Sequence, residues 1–156
     1  MLFRSVYLVY FDNGHTTYAT TDYSYSTRCV RSGAAAPAER YSVENGTVYD
    51  TQTKLTWQQA TPKTLFSWAD AGSYCAALTL NGAGWRLPSI GELQTLVNET
   101  DNPAVDPTAF PMTPSEYFWS SSAVADDASR AWTGFFTNGS TYSFAVMATK
   151  NARCVH

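Results

Sequence analysis

Few side chains in this sequence are of a kind that could carry reaction chemistry. Nucleophile–base catalysis needs a Ser, Cys or Thr beside a poised base, and the histidines are His15 and His156 alone. The first follows an Asn13-Gly14 turn signal and the second is the last residue, so neither is placed to act as a base. Three cysteines, Cys29, Cys75 and Cys154, allow one disulfide and leave one thiol over. No Cys/His spacing of a zinc site occurs. Arg86 and Glu92 flank a helix start and could form a reactive ion pair, but such residues ordinarily serve the helix end itself. Hard oxygen donors do gather in one stretch. Glu99, Asp101, Asn102 and Asp106 could offer carboxylates and carbonyls to calcium, or they could brace turns by bonding their own backbone. Catalysis is therefore not expected, and calcium is the one cofactor for which donors exist.

The stretch that organises the chain is Gly84-Trp85-Arg86-Leu87-Pro88-Ser89-Ile90-Gly91-Glu92-Leu93-Gln94-Thr95-Leu96-Val97. Pro88 closes a turn, and Ser89 followed by Glu92 is a capping box, so a helix begins there. Ile90, Leu93, Leu96 and Val97 share one face, with Trp85 placed beneath the first turn. These positions and Leu87 and Trp119 are expected to form the core. A second helix is expected after Ser67, a good N-cap, with Trp68, Ala71, Cys75 and Leu78 on one face.

The chain of 156 residues suits one ordinary domain with a further piece. Aromatic residues are 15% of the total and charged residues only 15%, a mix that favours strands and exposed aromatic surface. A formal charge of −3 with no basic stripe argues against nucleic acid as a partner. No apolar run is long enough to span a membrane as a helix. The opening Met1-to-Phe11 segment lacks a small-residue cleavage site and runs into Asn13-Gly14, so it reads as a strand of a hairpin.

That hairpin has a counterpart. At one constant offset, Phe11 aligns with Phe136, Asn13-Gly14 with Asn138-Gly139, Thr16 with Thr141, and Arg28-Cys29-Val30 with Arg153-Cys154-Val155. Self-similarity at a long fixed period marks tandem domains. Residues 1–31 are thus expected to be the C-terminal fragment of a preceding copy, 32–40 a small, Pro-containing linker, and 41–156 a complete domain. Within 41–156 the order is a strand pair ending at Trp57, two helices, the proline-rich loop 98–116, a strand at Tyr117-Phe118-Trp119, an acidic turn, a hairpin, and a closing strand at 152–155. The fold class expected is α+β, two helices packed on a mostly antiparallel twisted sheet with long loops.

Leu55-Thr56-Trp57, the helix carrying Tyr74-Cys75, Gly84-Trp85-Arg86-Leu87-Pro88-Ser89 with Glu92-Leu93, Asn102-Pro103-Ala104-Val105-Asp106, Tyr117-Phe118-Trp119-Ser120-Ser121, Asn138-Gly139 and Arg153-Cys154-Val155 follow a known pattern in order. Residues 41–156 resemble the bacterial domain family typified by the C-terminal domain of the Legionella collagen-like adhesin. That family is similar to C-type lectin-like domains, and the Arg-Leu-Pro-Ser block also resembles formylglycine-generating enzymes of the same fold. The resemblance implies a C-type lectin-like fold, a Cys75–Cys154 disulfide tying a helix to the last strand, secretion or cell-surface location, and adhesion or ligand display without catalysis. The chain departs from sugar-binding C-type lectins in having no Glu-Pro-Asn, Gln-Pro-Asp or Trp-Asn-Asp, so a calcium-bridged monosaccharide site is not carried over.

Two functions of different class follow. One is an extracytoplasmic module that binds a glycan or protein through a face made of the loop residues Glu99, Asp101, Asn102, Asp106 and Glu116 with Tyr117, Asp126, Asp127 and Arg130. The other is a structural spacer in a tandem surface array. An enzyme of the formylglycine-generating type would require a cleft holding a reduced thiol. The strands of residues 5–31 must cover their apolar faces, either on a sheet edge of the same chain or against a second molecule, which makes a homo-oligomer a further expectation.

Overall fold

A computed structural model describes residues 5–10, 16–20, 24–29 and 39–156. The Asn13-Gly14 turn, His15, and the linker apart from Glu39 and Arg40 lie outside the described residues.

Among the described residues, two short helices and eight strands in three antiparallel sheets make an α+β fold. The leading hairpin is β1 (Ser5–Val9) with β2 (Thr16–Thr20). The second sheet is β3 (Tyr41–Glu44), β4 (Thr47–Asp50) and β5 (Thr56–Gln58). β3 and β4 are joined by Asn45 and Gly46, both at positive φ as a two-residue hairpin turn demands. Helix α1 (Trp68–Ala76) starts at the Ser67 cap and buries Ala71 and Cys75. Helix α2 (Ile90–Thr95) starts at Ser89 with both halves of the capping box formed. The third sheet is β6 (Tyr117–Val124), β7 (Asp127–Phe135) and β8 (Ser140–Ala145), in that order.

The third sheet separates two cores. Side chains alternate across a strand, so Phe118 enters one cluster with Val48, Trp57, Leu93, Leu96, Phe110 and Phe136. Its neighbour Trp119 enters the other with Trp85, Leu87, Ala71 and the Cys75–Cys154 pair. Trp85 thus packs on the disulfide side and not beneath the apolar face of α2. Ile90 is only half-buried and belongs to neither cluster. Residues 151–156 form bridges in place of a regular closing strand: Val155 bridges both Trp57 and Arg86, and Asn151 bridges Phe118. This tail joins the second sheet, the turn before α2 and the third sheet through backbone hydrogen bonds, and the disulfide adds α1.

Loop 98–116 holds no helix or strand, as its prolines require, yet much of it is interior. Ala104, Val105, Ala109 and Phe110 are buried, and the Ala104 amide donates to the Phe136 carbonyl at 2.6 Å.

The leading hairpin and the β7–β8 hairpin pair in one register. Ser5↔Thr20 and Val9↔Thr16 in the first correspond to Arg130↔Ala145 and Gly134↔Thr141 in the second. The leading hairpin docks on its own chain, with Thr16 against Thr141.

Candidate functional site

Asp106 begins the construction of a cleft. Its Oδ1 accepts from the amides of Thr108 at 2.8 Å and Ala109 at 2.9 Å, which turns the loop so that Phe110 enters the core. The Phe110 ring meets Tyr41 edge-on, centroids 5.4 Å apart. Tyr41 lies on β3 and carries the Arg40 guanidinium 4.7 Å from its ring centroid. Arg40 is itself fixed, its Nη2 donating to Asp50 Oδ2 at 2.7 Å and to the Thr95 carbonyl at the end of α2 at 2.6 Å. The space between β3 and the loop is a cleft of about 310 Å³ lined by Glu39, Arg40, Tyr41, Val43, Asp106 and Thr108.

Electrostatics suit this cleft to a polar ligand. Burial pushes the Tyr41 phenol up to about 12, against the nearby Arg40 charge, so the phenol stays neutral and can donate a hydrogen bond. Burial works against the Asp50 carboxylate, but the Arg40 charge and the hydrogen bonds from Arg40, the Gln52 amide and Thr53 together hold the carboxyl below its ordinary value. The lining thus offers carboxylate acceptors, a phenol donor and one aromatic ring. Among the described residues it includes no histidine or cysteine.

Asp106 is the one expected ligand residue that lines this cleft. Glu99 lines a separate crevice of about 270 Å³ with Thr16, Gln94, Val97 and Gly139, where burial raises its carboxyl. Asp101 accepts from Asn98 Nδ2 at 2.6 Å, and Asn102 Oδ1 accepts from Ser115 Oγ at 3.4 Å. Glu116 is exposed, with its carbonyl accepting from the Phe136 amide. Asp126 sits at positive φ in the two-residue turn between β6 and β7, tighter than the acidic turn expected over residues 123–129. Asp127 accepts from the Ser129 hydroxyl and amide, which lowers its carboxyl. Arg130 reaches the hydroxyl and carbonyl of Ser143 on β8. Tyr117 stacks on Phe135 at 4.2 Å and meets Phe144 edge-on, with the Lys150 ammonium 4.9 Å from its centroid. Among the described residues no three His, Cys, Asp or Glu side chains are grouped to hold a metal.

The Arg86–Glu92 pair is bidentate, at 2.8 and 2.6 Å. Glu92 also accepts from the Ser89 amide at 2.7 Å, so this pair is built into the start of α2. Cys75 and Cys154 are bonded, and Cys29 is a free, exposed thiol.

Arg40 fell inside the expected linker 32–40 and Tyr41 immediately after it, so neither was read as a site residue. The Asn45-Gly46 turn signal ahead of Thr47 was the available cue, since it implies a strand upstream.

Residues 46–156 match the family described as the Lcl C-terminal domain. No curated protein matches the chain.

Proposed function

Because the chain belongs to this adhesin-associated family, we propose that it is a non-catalytic binding module working outside the cytoplasm, where it holds a glycan or a protein side chain in the cleft between β3 and loop 98–116. The observation that carries the reading is the convergence of Tyr41, Asp106 and Glu39 on one cavity of about 310 Å³, within the usual range for ligand sites. The disulfide supports an oxidising compartment. Among the described residues no helix is long and apolar enough to cross a membrane. The order of strands, two helices and strands, tied by a helix-to-tail disulfide, supports a C-type lectin-like assignment. In that frame the ligand is held by side chains directly.

A glycan array probed with the purified chain, with and without calcium, tests this reading. Binding that Asp106→Asn and Tyr41→Phe each weaken about tenfold, with unchanged melting temperature, is the expected result. Binding that neither substitution alters would remove the cleft from the function.

The spacer reading draws on a different observation. Asp101, Asp106 and Asp127 all accept hydrogen bonds from residues no more than three positions away, so part of the acidic surface serves its own turns. An absence of binding to both glycans and extracellular matrix proteins would favour it.

A further inference from the structure

The leading hairpin and the β7–β8 hairpin do more than resemble each other: they touch through equivalent residues. The Thr16 amide donates to Thr141 Oγ1 at 3.1 Å, the two hydroxyl oxygens lie 3.5 Å apart, and Gln94 Nε2 donates to Thr16 Oγ1 at 3.1 Å. Thr16 also donates to the Gly139 carbonyl at 3.4 Å. Thr16 is 6% exposed and Thr141 fully buried, so the contact is closed to solvent. Because Thr16↔Val9 and Thr141↔Gly134 hold the same place in matched registers, what Thr16 presents to the seat, Thr141 presents as well. A surface that meets its own equivalent through the same residue has the geometry of an isologous, two-fold contact.

We propose that Gln94, Gly139 and Thr141 form a self-association seat whose second occupant is the β7–β8 hairpin of another copy of this chain, and that the leading hairpin fills the seat in cis. In the two-copy form Thr141 of each chain takes the place of Thr16 in the other, and Gln94 at the end of α2 donates across the axis. β8 is the edge of the third sheet, and an edge that is uncovered seeks a partner. The leading hairpin is therefore a cover that keeps the chain single while it is seated.

Sedimentation of the full chain across a range of concentrations tests this. The unsubstituted chain is expected to have the mass of one chain. Thr16→Arg sets a long cation against Gly139 and Thr141; it is expected to free the hairpin, read as lost amide-exchange protection at residues 16–20, and to double the mass at high concentration. Val9→Arg is added if residues 16–20 stay protected. Gln94→Arg, combined with the freed hairpin, is expected to restore the single-chain mass. A chain with a freed hairpin that stays single at every concentration overturns the proposal. So does a mass that stays doubled with Gln94→Arg, or an unsubstituted chain that associates as strongly as the Thr16→Arg chain.

Discussion

Thr16 and Thr141, separated by 125 positions, are joined by a hydrogen bond of 3.1 Å from the amide of the first to the hydroxyl of the second. Thr16 also bonds the Gly139 carbonyl and Gln94, so these polar contacts hold the leading hairpin at the edge of the third sheet. Thr16→Val removes the hydroxyl that Gln94 bonds. Amide exchange at residues 16–20 is expected to quicken, while the main denaturant midpoint moves by no more than about 0.5 kcal/mol in stability. A main transition that shifts together with the hairpin would place the hairpin inside the cooperative unit.

The disulfide closes a separation of 79 residues, which corresponds to about 4 to 5 kcal/mol in the chain-entropy account. Cys75→Ala with Cys154→Ala is expected to lower stability by an amount of that order. Peptide mapping without reductant should recover one cross-linked pair. Recovery of Cys29 in a bridge with either partner would contradict the assignment.

Trp85 is 4% exposed and donates from Nε1 to the Leu80 carbonyl at 2.8 Å. Trp85→Ala opens a cavity beside the disulfide and is expected to cost about 3 to 5 kcal/mol. Leu93→Ala, in the opposite cluster, should cost about 2 to 5 kcal/mol. Guanidinium unfolding measures both, and a wild-type midpoint for Trp85→Ala would deny that cluster its part in stability.

Hydrogen bonds from Arg86 and from the Ser89 backbone hold the Glu92 carboxyl at about 2, with burial opposing them. A carboxyl depressed in the folded state contributes stability that is complete above its unfolded value near 4.5 and lost as pH falls toward 2. Glu92→Gln keeps a capping-box side chain but drops the charge. Its penalty at neutral pH should therefore shrink between pH 4.5 and 2, and thermal melts across that range read the convergence. A penalty that is constant with pH would mean the pair contributes no charge-dependent stability.

Arg153 is fully buried, and among the described residues it has no carboxylate partner. Its Nη2 donates to Thr61 and Thr113 hydroxyls at 2.9 Å and its guanidinium lies 4.6 Å from the Phe110 centroid, but Nε and Nη1 have no partner. Burial pulls its pKa down to about 9. A buried charge so placed is costly, so Arg153→Met is expected to be neutral or to stabilise by about 1 kcal/mol. Chemical unfolding decides this, and a loss of several kcal/mol would show that the cation is compensated by contacts beyond those seen.

What the sequence by itself determined are the features whose causes lie within a few residues. The Ser67 and Ser89 caps form where a short side-chain acceptor precedes amides that have no helical partner. The likeness between residues 5–20 and 130–145 was visible as aligned residue types, and the two hairpins pair in matching register. Tertiary structure alone decided the rest. Prolines mark loop 98–116 as irregular, but nothing local says that Val105 and Phe110 enter the core, because that depends on the space left between α2 and the third sheet. An arginine in the closing tail reads as surface until the fold closes over Arg153. The cleft joins residues 39–43 to 106–109, and Arg40 reaches Asp50 and Thr95. Such contacts follow from how the whole chain packs its apolar surface, and no short window of sequence carries that information.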